Sequence, residues 1–499
     1  MLEDKPDKAS YGRIAMPLVG VAVFSCVIAL AYCVATEWLG MAAIRFLNHI
    51  GPAVLGVVCG ACGYLSIKNS PIALWSPIPW FLLSCAGFYG LGPLAYHFAT
   101  PETVSFLDGL YVVDEKSLLR TNLLNAAGIA AVSFAIAITL LMAPSSIGRM
   151  QPYNHVLTKK LMWTFIAVAA PVKYFLVVPY IMGKLSYVPP GAFLHLADFL
   201  GSAIIVMFIL LANGEKKYVP LLAIVLLSEL AFGLLALSKT VMIQTALITC
   251  LGIWLYRRSI SVLITSGLAI IFVYSLVLSP FVLFARTVIG ASSAKETADV
   301  NIAISAYESV GLNELAVLSP EVQGWWTRLS YANVQAFAME RFNEGNRGKT
   351  FDLFPYVFVP RIIDPDKPLM HLGQDFTQLI LGYEDTSHTG LGVFGEAYWN
   401  GGWPLVIVAS MYVGVIIGII ARFAMFTMLS GEYIFLPIIL LGIQLGLTGL
   451  TDWFVSTFVG GLIEAMFWLF LLYALKAFLK VRIAPRLMPL STPLPNSLP

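Results

Sequence analysis

The chain has 499 residues, of which 59% are hydrophobic, 13% aromatic and only 12% charged. A soluble globular domain carries about 25% charged residues, so this composition indicates an integral membrane protein and excludes soluble enzymes. The formal net charge of +2 provides no strongly basic surface, which excludes a nucleic-acid-binding protein.

Apolar runs recur along most of the chain. A helix that crosses a bilayer needs about 20 mainly apolar residues. Twelve runs meet this requirement, at approximately 14–36, 42–66, 75–97, 121–143, 161–183, 192–212, 219–237, 241–256, 260–285, 403–421, 433–451 and 453–475. The first run has no signal-peptide cleavage site, so we predict that it is retained as a helix. The predicted fold is an all-α polytopic membrane protein with about 12 transmembrane helices.

Positive charge in the short connections predicts the orientation. An even number of spans places both termini on one side of the membrane. If that side is the cytoplasm, the inner segments contain sixteen Lys and Arg residues, and the short outer connections contain five. Short cytoplasmic loops are enriched in Lys and Arg. We therefore predict that both termini are cytoplasmic.

A long connection after the ninth run divides the chain into four parts. We predict a transmembrane bundle with spans one to nine at 1–285, a large periplasmic loop with amphipathic helices at 286–402, and spans ten to twelve at 403–480. The proline-rich residues 481–499 are predicted to form a disordered cytoplasmic tail.

The long loop itself has four recognisable segments. Residues 321–344 carry apolar side chains at helical spacing, which predicts an amphipathic helix. Three prolines within 360–368 favour a rigid extended segment. A short helix is expected at 373–382, and a glycine-rich return to the membrane at 390–402.

Four ionisable residues fall inside apolar runs: Lys173, Asp198, Glu229 and Glu464. Charged groups at membrane depth are costly, and they usually face one another or a cavity. We expect a structural ion pair between Lys173 and either Asp198 or Glu229. A proton or ion path through the same groups is the alternative.

Basic residues beyond the seventh span form the predicted anion site. Lys239 occupies the tip of the tight hairpin between spans seven and eight, where it is expected either to bind phosphate or to extend towards lipid headgroups. Arg286 follows span nine, and Arg347, Arg361 and Lys367 lie in the long loop. Arginine suits a diphosphate because its planar guanidinium donates two parallel hydrogen bonds.

Three residues of the loop are candidates for a general base: His388, Glu396 and Asp366. An ordinary loop histidine is the alternative for His388. Residues 390–395 match GxGxxG, but no strand precedes them and no acid follows at the required distance, so dinucleotide binding is rejected. Cys59 and Cys62 have no second ligand pair, so no metal site is predicted.

Two motifs resemble those of a known family. Pro360-Arg361-Ile-Ile-Asp364-Pro365-Asp366-Lys367-Pro368 is followed by Gly395-Glu396-Ala-Tyr-Trp-Asn400-Gly401-Gly402. In sequence and order they resemble motifs of bacterial oligosaccharide repeat-unit polymerases, the Wzy-type O-antigen polymerases. Asp364 stands where that family usually has an aromatic residue.

This resemblance implies a GT-C-like glycosyltransferase plan and a bacterial inner-membrane protein whose active site faces the periplasm. The reaction implied is polymerisation of undecaprenyl-diphosphate-linked oligosaccharide units into a surface polysaccharide, without metal, cofactor or nucleotide sugar. Arg361 and Lys367 would hold the diphosphate, and Glu396 would organise or activate the acceptor. Membrane lipid, a flippase and a chain-length regulator are the other expected partners.

Two other functions remain open. An O-antigen ligase shares the plan but passes the finished chain to a different acceptor. A twelve-span transporter or flippase usually has two related halves, and no repeat relates the first six spans to the last six.

Overall fold

The computed structural model describes residues 8–38, 40–109, 111–142, 154–181, 184–185, 195–235, 239–257, 259–273, 329–359, 364, 367–368, 370–383 and 388–478. Helices and turns make up this part of the chain, and it contains no β-strand. Ten of its helices are long and apolar enough to cross a membrane, and two shorter apolar helices, Val241–Arg257 and Ile260–Val273, accompany them. The all-α polytopic architecture is confirmed, whereas the count of twelve spans stays a prediction.

We number the principal helices in chain order. They are α1 (Lys8–Trp38), α2 (Met41–Asn69), α3 (Pro77–Phe98), α4 (Glu115–Leu141), α5 (His155–Tyr180), α6 (His195–Ala212), α7 (Lys216–Leu234), α8 (Lys239–Arg257), α9 (Ile260–Val273), α10 (Ala332–Asn343), α11 (Leu372–Leu381), α12 (Val393–Ser430), α13 (Tyr433–Thr451) and α14 (Val455–Phe478). Each predicted apolar run overlaps one of them. Residues 274–285 of the ninth run and the tail at 481–499 lie outside the described residues.

Helices α4 and α12 pack closely against each other. A Cβ atom placed on Gly414 would lie 2.5 Å from the carbonyl oxygen of Val132. One placed on Gly418 would lie 2.7 Å from Cβ of Thr139. Small residues four apart let two helix backbones approach closely, which is how helices associate where lipid is as apolar as the side chains. The glycines of α12 therefore fix its position against α4.

A kink divides α12 into two parts. Gly401 and Gly402 have non-helical backbone angles, and the φ of Gly402 is +63°, which favours glycine. The eight residues before the kink are helical, although the sequence predicted a glycine-rich return over 390–402. Most of them are buried, including Val393 and Phe394 at 0% exposure. Burial of this apolar face outweighs the low helix propensity of its glycine.

Connections between the helices meet at one end of the bundle, which we call the loop end and define by residues 98–115, 329–359 and 388–402. The amide of Asn333 donates to the carbonyl of Leu107 at 3.0 Å, joining two of these segments. The helix predicted at 373–382 is confirmed as α11. Of the helix predicted at 321–344, α10 covers 332–343, and residues 321–328 lie outside the described residues.

Candidate functional site

A polar cavity of about 570 Å³ opens at the loop end between the start of α4 and α10. Binding sites for small molecules usually measure about 300–1,000 Å³. Its lining residues are Tyr111, Val112, Asp114, Lys116, Ser117, Arg120, Ala336, Met339, Glu340, Asn343 and Glu344. Of the eleven, eight are polar or charged, so the cavity suits a hydrophilic ligand.

The start of α4 presents two cations to this cavity. Asp114 caps the helix, because its Oδ1 accepts the backbone N–H of Ser117 at 2.7 Å. The hydrogen bonds from Ser117 hold the pKa of Asp114 below its ordinary value, and the nearby Arg120 and Lys116 lower this pKa further. Lys116 and Arg120 are four residues apart, so they share one face of the helix.

The opposite wall is α10, which a tyrosine joins to the preceding loop. The hydroxyl of Tyr111 donates to Oε2 of Glu340. Its ring packs edge-on against Phe337, with the ring centroids 5.8 Å apart. Burial, and then the hydrogen bond to Glu340, raise the pKa of Tyr111, so its phenol stays protonated and remains a donor.

Each carboxylate of the cavity has a partner, whereas its two cations have none in the described ranges. Asp114 caps α4, and Glu340 accepts from Tyr111. Oε2 of Glu344 lies 3.5 Å from a guanidinium nitrogen of Arg341. Lys116 and Arg120 make no ion pair or hydrogen bond with any residue in the described part of the chain. The cavity can therefore accept an anionic group at the α4 wall.

The motif at 395–402 borders this cavity through Tyr398. The hydroxyl of Tyr398 donates to Oδ1 of Asn343 at 3.3 Å. Asn343 lines the cavity and keeps its amide N–H groups available.

Other residues of the motif attach the segment after α10 to α12. The indole N–H of Trp399 donates to the carbonyl of Asn346 at 3.1 Å. The side-chain amide of Asn400 donates to the hydroxyl of Thr350 at 2.8 Å, and its Oδ1 accepts the N–H of Phe351 at 3.3 Å. The motif thus holds residues 343–351 in place beside the cavity.

Glu396 is fully buried and does not line the cavity. Its Oε2 accepts the backbone N–H of Phe454, immediately before α14 begins. The hydroxyl of Thr350 lies beside the carboxylate, while Oε1 has no partner of good geometry among the described residues. In this position the Glu396 side chain caps the start of α14. An acceptor sugar could reach its carboxylate only if the surrounding residues moved.

The other predicted site residues that the structure describes each contact a different partner. The guanidinium of Arg347 lies 5.5 Å above the ring of Phe342, which in turn packs against Tyr398. The ammonium of Lys367 donates to the carbonyl of Val359 at 3.0 Å. His388 is exposed and lies beside Gly373.

Lys239 is the first residue of α8, and its side chain is outside the described part of the chain. Arg286, Arg361 and Asp366 also lie outside the described residues. Convergence of these cations on one pocket therefore stays a prediction. The described residues of the predicted set do not line the cavity.

Sequence reasoning overlooked the cavity residues Tyr111, Lys116, Arg120 and Glu340. A signal for the α4 wall was present, because Asp114 and Ser117 have the spacing of a helix cap and two bases follow at helical spacing. No comparable signal joined this loop to Glu340, more than 200 positions later in the chain.

Inside the bundle, the expected pair is confirmed between Lys173 and Glu229, whose side chains are 7% and 10% exposed. A second cluster joins α6 to α14. Nδ1 of His195 lies 2.9 Å from Glu464 and 3.9 Å from Asp198. A cavity of about 130 Å³ adjoins this cluster. No group of His, Cys, Asp and Glu in the described residues is arranged to hold a metal ion.

Comparisons with known proteins find no match to this chain among protein-family models, curated proteins or solved structures. The resemblance to repeat-unit polymerases therefore depends on the two motifs, at 360–368 and 395–402.

Proposed function

We propose that this protein polymerises lipid-diphosphate-linked oligosaccharide units at the periplasmic face of a bacterial inner membrane. The observation that carries the proposal is the polar cavity, in which Lys116 and Arg120 have no partner among the described residues and Asn343 contacts Tyr398 of the 395–402 motif. The orientation follows from the distribution of Lys and Arg, which makes the loop end periplasmic.

The transfer of a glycan from a lipid diphosphate suits a cavity that presents the cations Lys116 and Arg120. When the anomeric carbon of the donor leaves its lipid diphosphate, negative charge develops on the departing oxygen. Positioned Arg and Lys donors stabilise that charge without a metal, and the effect is strongest where water is scarce. Lys116 and Arg120 supply such donors on a helix that Asp114 anchors. Arg361 and Lys367, by the family resemblance, would complete the diphosphate site.

The decisive experiment incubates the purified protein with a lipid-diphosphate oligosaccharide and separates the products by size. We expect a ladder of longer glycans from the wild type, and a decrease of about 100-fold or more in its rate of formation for Arg120→Ala. Arg45→Ala is the matched control, because Arg45 is a basic residue at the same end that pairs with Glu115 outside the cavity. If the wild type forms no ladder from any such substrate, the proposal is wrong.

A ligase uses the same donor chemistry with another acceptor, and a deletion strain separates the two. A single capped repeat unit on the final lipid is expected for a polymerase. Full-length chains that accumulate on the undecaprenyl carrier would indicate a ligase instead.

A transporter is favoured by one observation, the cluster of His195, Asp198 and Glu464 next to a cavity between α6 and α14. Protein in liposomes would then move a labelled solute, and Glu464→Gln would stop that movement while Arg120→Ala would not. Solute transport with this pattern, in the absence of polymer, would replace the polymerase proposal.

A further inference from the structure

The cavity at the loop end is chemically polarised. One wall, the start of α4, carries the cations Lys116 and Arg120, which have no partner within the part of the chain that the structure describes. The other wall, α10, carries Glu340, Asn343 and Glu344. A transfer that expels an anion and deprotonates a hydroxyl needs a cationic and a basic group near one reacting centre. The two walls supply these two types of group.

Of the three carboxylates in the cavity, Glu340 is the one whose partner, among the described residues, is neither a cation nor the start of a helix. Asp114 is committed to capping α4 through Ser117. Glu344 lies 3.5 Å from Arg341 and from the side-chain amide of Asn346. Glu340 interacts with the neutral Tyr111 alone among the described residues, and its side chain is exposed to the cavity. Its Oε1 is therefore available to a ligand.

We infer that Glu340 is the general base of the transfer and that Tyr111 is its positioning residue; this inference rests on the proposed function. The acceptor is a neutral sugar hydroxyl at the α10 wall, and the donor diphosphate lies against Lys116 and Arg120. The phenol of Tyr111 donates to Oε2 and directs Oε1 of the same carboxylate towards the acceptor.

The transfer exchanges one bond at the anomeric carbon for another. The acceptor oxygen forms a bond to the anomeric carbon of the donor, and the bond from that carbon to the diphosphate oxygen breaks. The bonding electron pair leaves with the diphosphate, whose charge Lys116 and Arg120 stabilise. The hydroxyl proton moves to the Glu340 carboxylate and then to solvent. No metal, oxidant or reductant is required for this step.

The matched variants are Glu340→Gln and Glu102→Gln, which each remove one carboxylate at the loop end; Glu102 is exposed and does not line the cavity. We expect Glu340→Gln to lower kcat for chain extension by about 100-fold to 10,000-fold with little change in KM. Glu102→Gln should stay within a few-fold of the wild type, because its carboxylate lies outside the cavity. Tyr111→Phe should lower kcat by about 10-fold with little change in KM, because the Glu340 carboxylate loses the donor that positions it.

Azide separates a base from a structural residue, because this nucleophile needs no deprotonation. With azide present, Glu340→Ala should form glycosyl azide from the lipid-linked donor at a rate close to that of the wild type, while polymer formation is lost. Loss of both products, or full polymerisation by Glu340→Gln, would overturn the role of Glu340 and leave the proposed function standing. A wild type that uses no lipid-linked donor overturns both.

Discussion

The carboxylate of Glu396 accepts a hydrogen bond from the backbone amide of Phe454, which precedes α14. Because the first amides of a helix have no partner within it, an acceptor from another segment satisfies one of them. The contact joins the start of α12 to the start of α14 in a fully buried position. Phe351 and Phe454 stack beside it, with their ring centroids 5.1 Å apart. The acidic residue of the 395–402 motif thus stabilises the scaffold of the loop end.

Replacement of Glu396 tests whether this scaffold role is its main one. Glu396→Gln keeps an oxygen that accepts from Phe454, so we expect it to fold and to retain activity. Glu396→Ala leaves a buried amide without its acceptor, which costs about 1–3 kcal/mol. Thermal unfolding of the detergent-purified variants would show a lower Tm for Glu396→Ala alone. A stable Glu396→Gln variant without polymerising activity would instead assign the carboxylate to catalysis.

Asp114 makes the stability of the loop end depend on pH. Its pKa is lowered in the folded protein, chiefly by the hydrogen bonds from Ser117. A lowered pKa contributes stability above the ordinary pKa of about 4, and the contribution disappears as the pH falls through the folded-state value. Asp114→Asn also caps a helix but does not titrate.

The measurement for Asp114 is the difference in Tm between wild type and Asp114→Asn as a function of pH. The wild type should be the more stable protein at pH 7, and the difference should shrink as the pH falls from about 5 to about 3. Asp114→Ala removes the cap at every pH and should cost roughly 1 kcal/mol. A constant difference between wild type and Asp114→Asn would show that the charge of Asp114 contributes nothing.

The cations predicted from sequence give a separate test of the diphosphate site. Arg361→Ala, Lys367→Ala and Lys239→Ala should each abolish chain extension while membrane insertion continues, because each removes a donor to the leaving group. Extension is read from the length of polymer in cells, and insertion from the amount of protein in membranes. Lys184→Ala is a control, since Lys184 lies in a short outer connection. Long polymer from all three variants would contradict the assignment.

Sequence patterns predicted the helices well because hydropathy is a local property. The predicted helix at 373–382 is observed at Leu372–Leu381, and every apolar run overlaps a helix. The pattern could not choose between Asp198 and Glu229 as the partner of Lys173, since that choice depends on how α5, α6 and α7 pack. The sequence could not predict the cavity either, because the cavity also depends on how distant helices pack. Its two walls come from distant parts of the chain, and only the fold brings Arg120 near Glu340.

Substitutions of Lys173 and Glu229 test whether these two residues form a structural ion pair or part of a proton path. The ammonium of Lys173 also lies 4.8 Å above the ring of Phe232. Lys173→Met leaves a buried carboxylate without its cation, which should cost about 3–5 kcal/mol. The double variant Lys173→Met/Glu229→Leu should recover most of this loss, because apolar residues of similar volume replace a buried pair with little penalty.

Lys476 and Glu432 provide the control pair, with their charged atoms 3.1 Å apart and side chains 19% and 18% exposed. Lys476→Met should cost about 1 kcal/mol or less, because more solvent surrounds that pair. A structural role for Lys173 and Glu229 requires that the double variant, once stable, also be active. A double variant with wild-type Tm but no activity would mean that the two charges are needed for function. Proton movement through α5 and α7 would then explain why charged side chains occupy the interior of an apolar bundle.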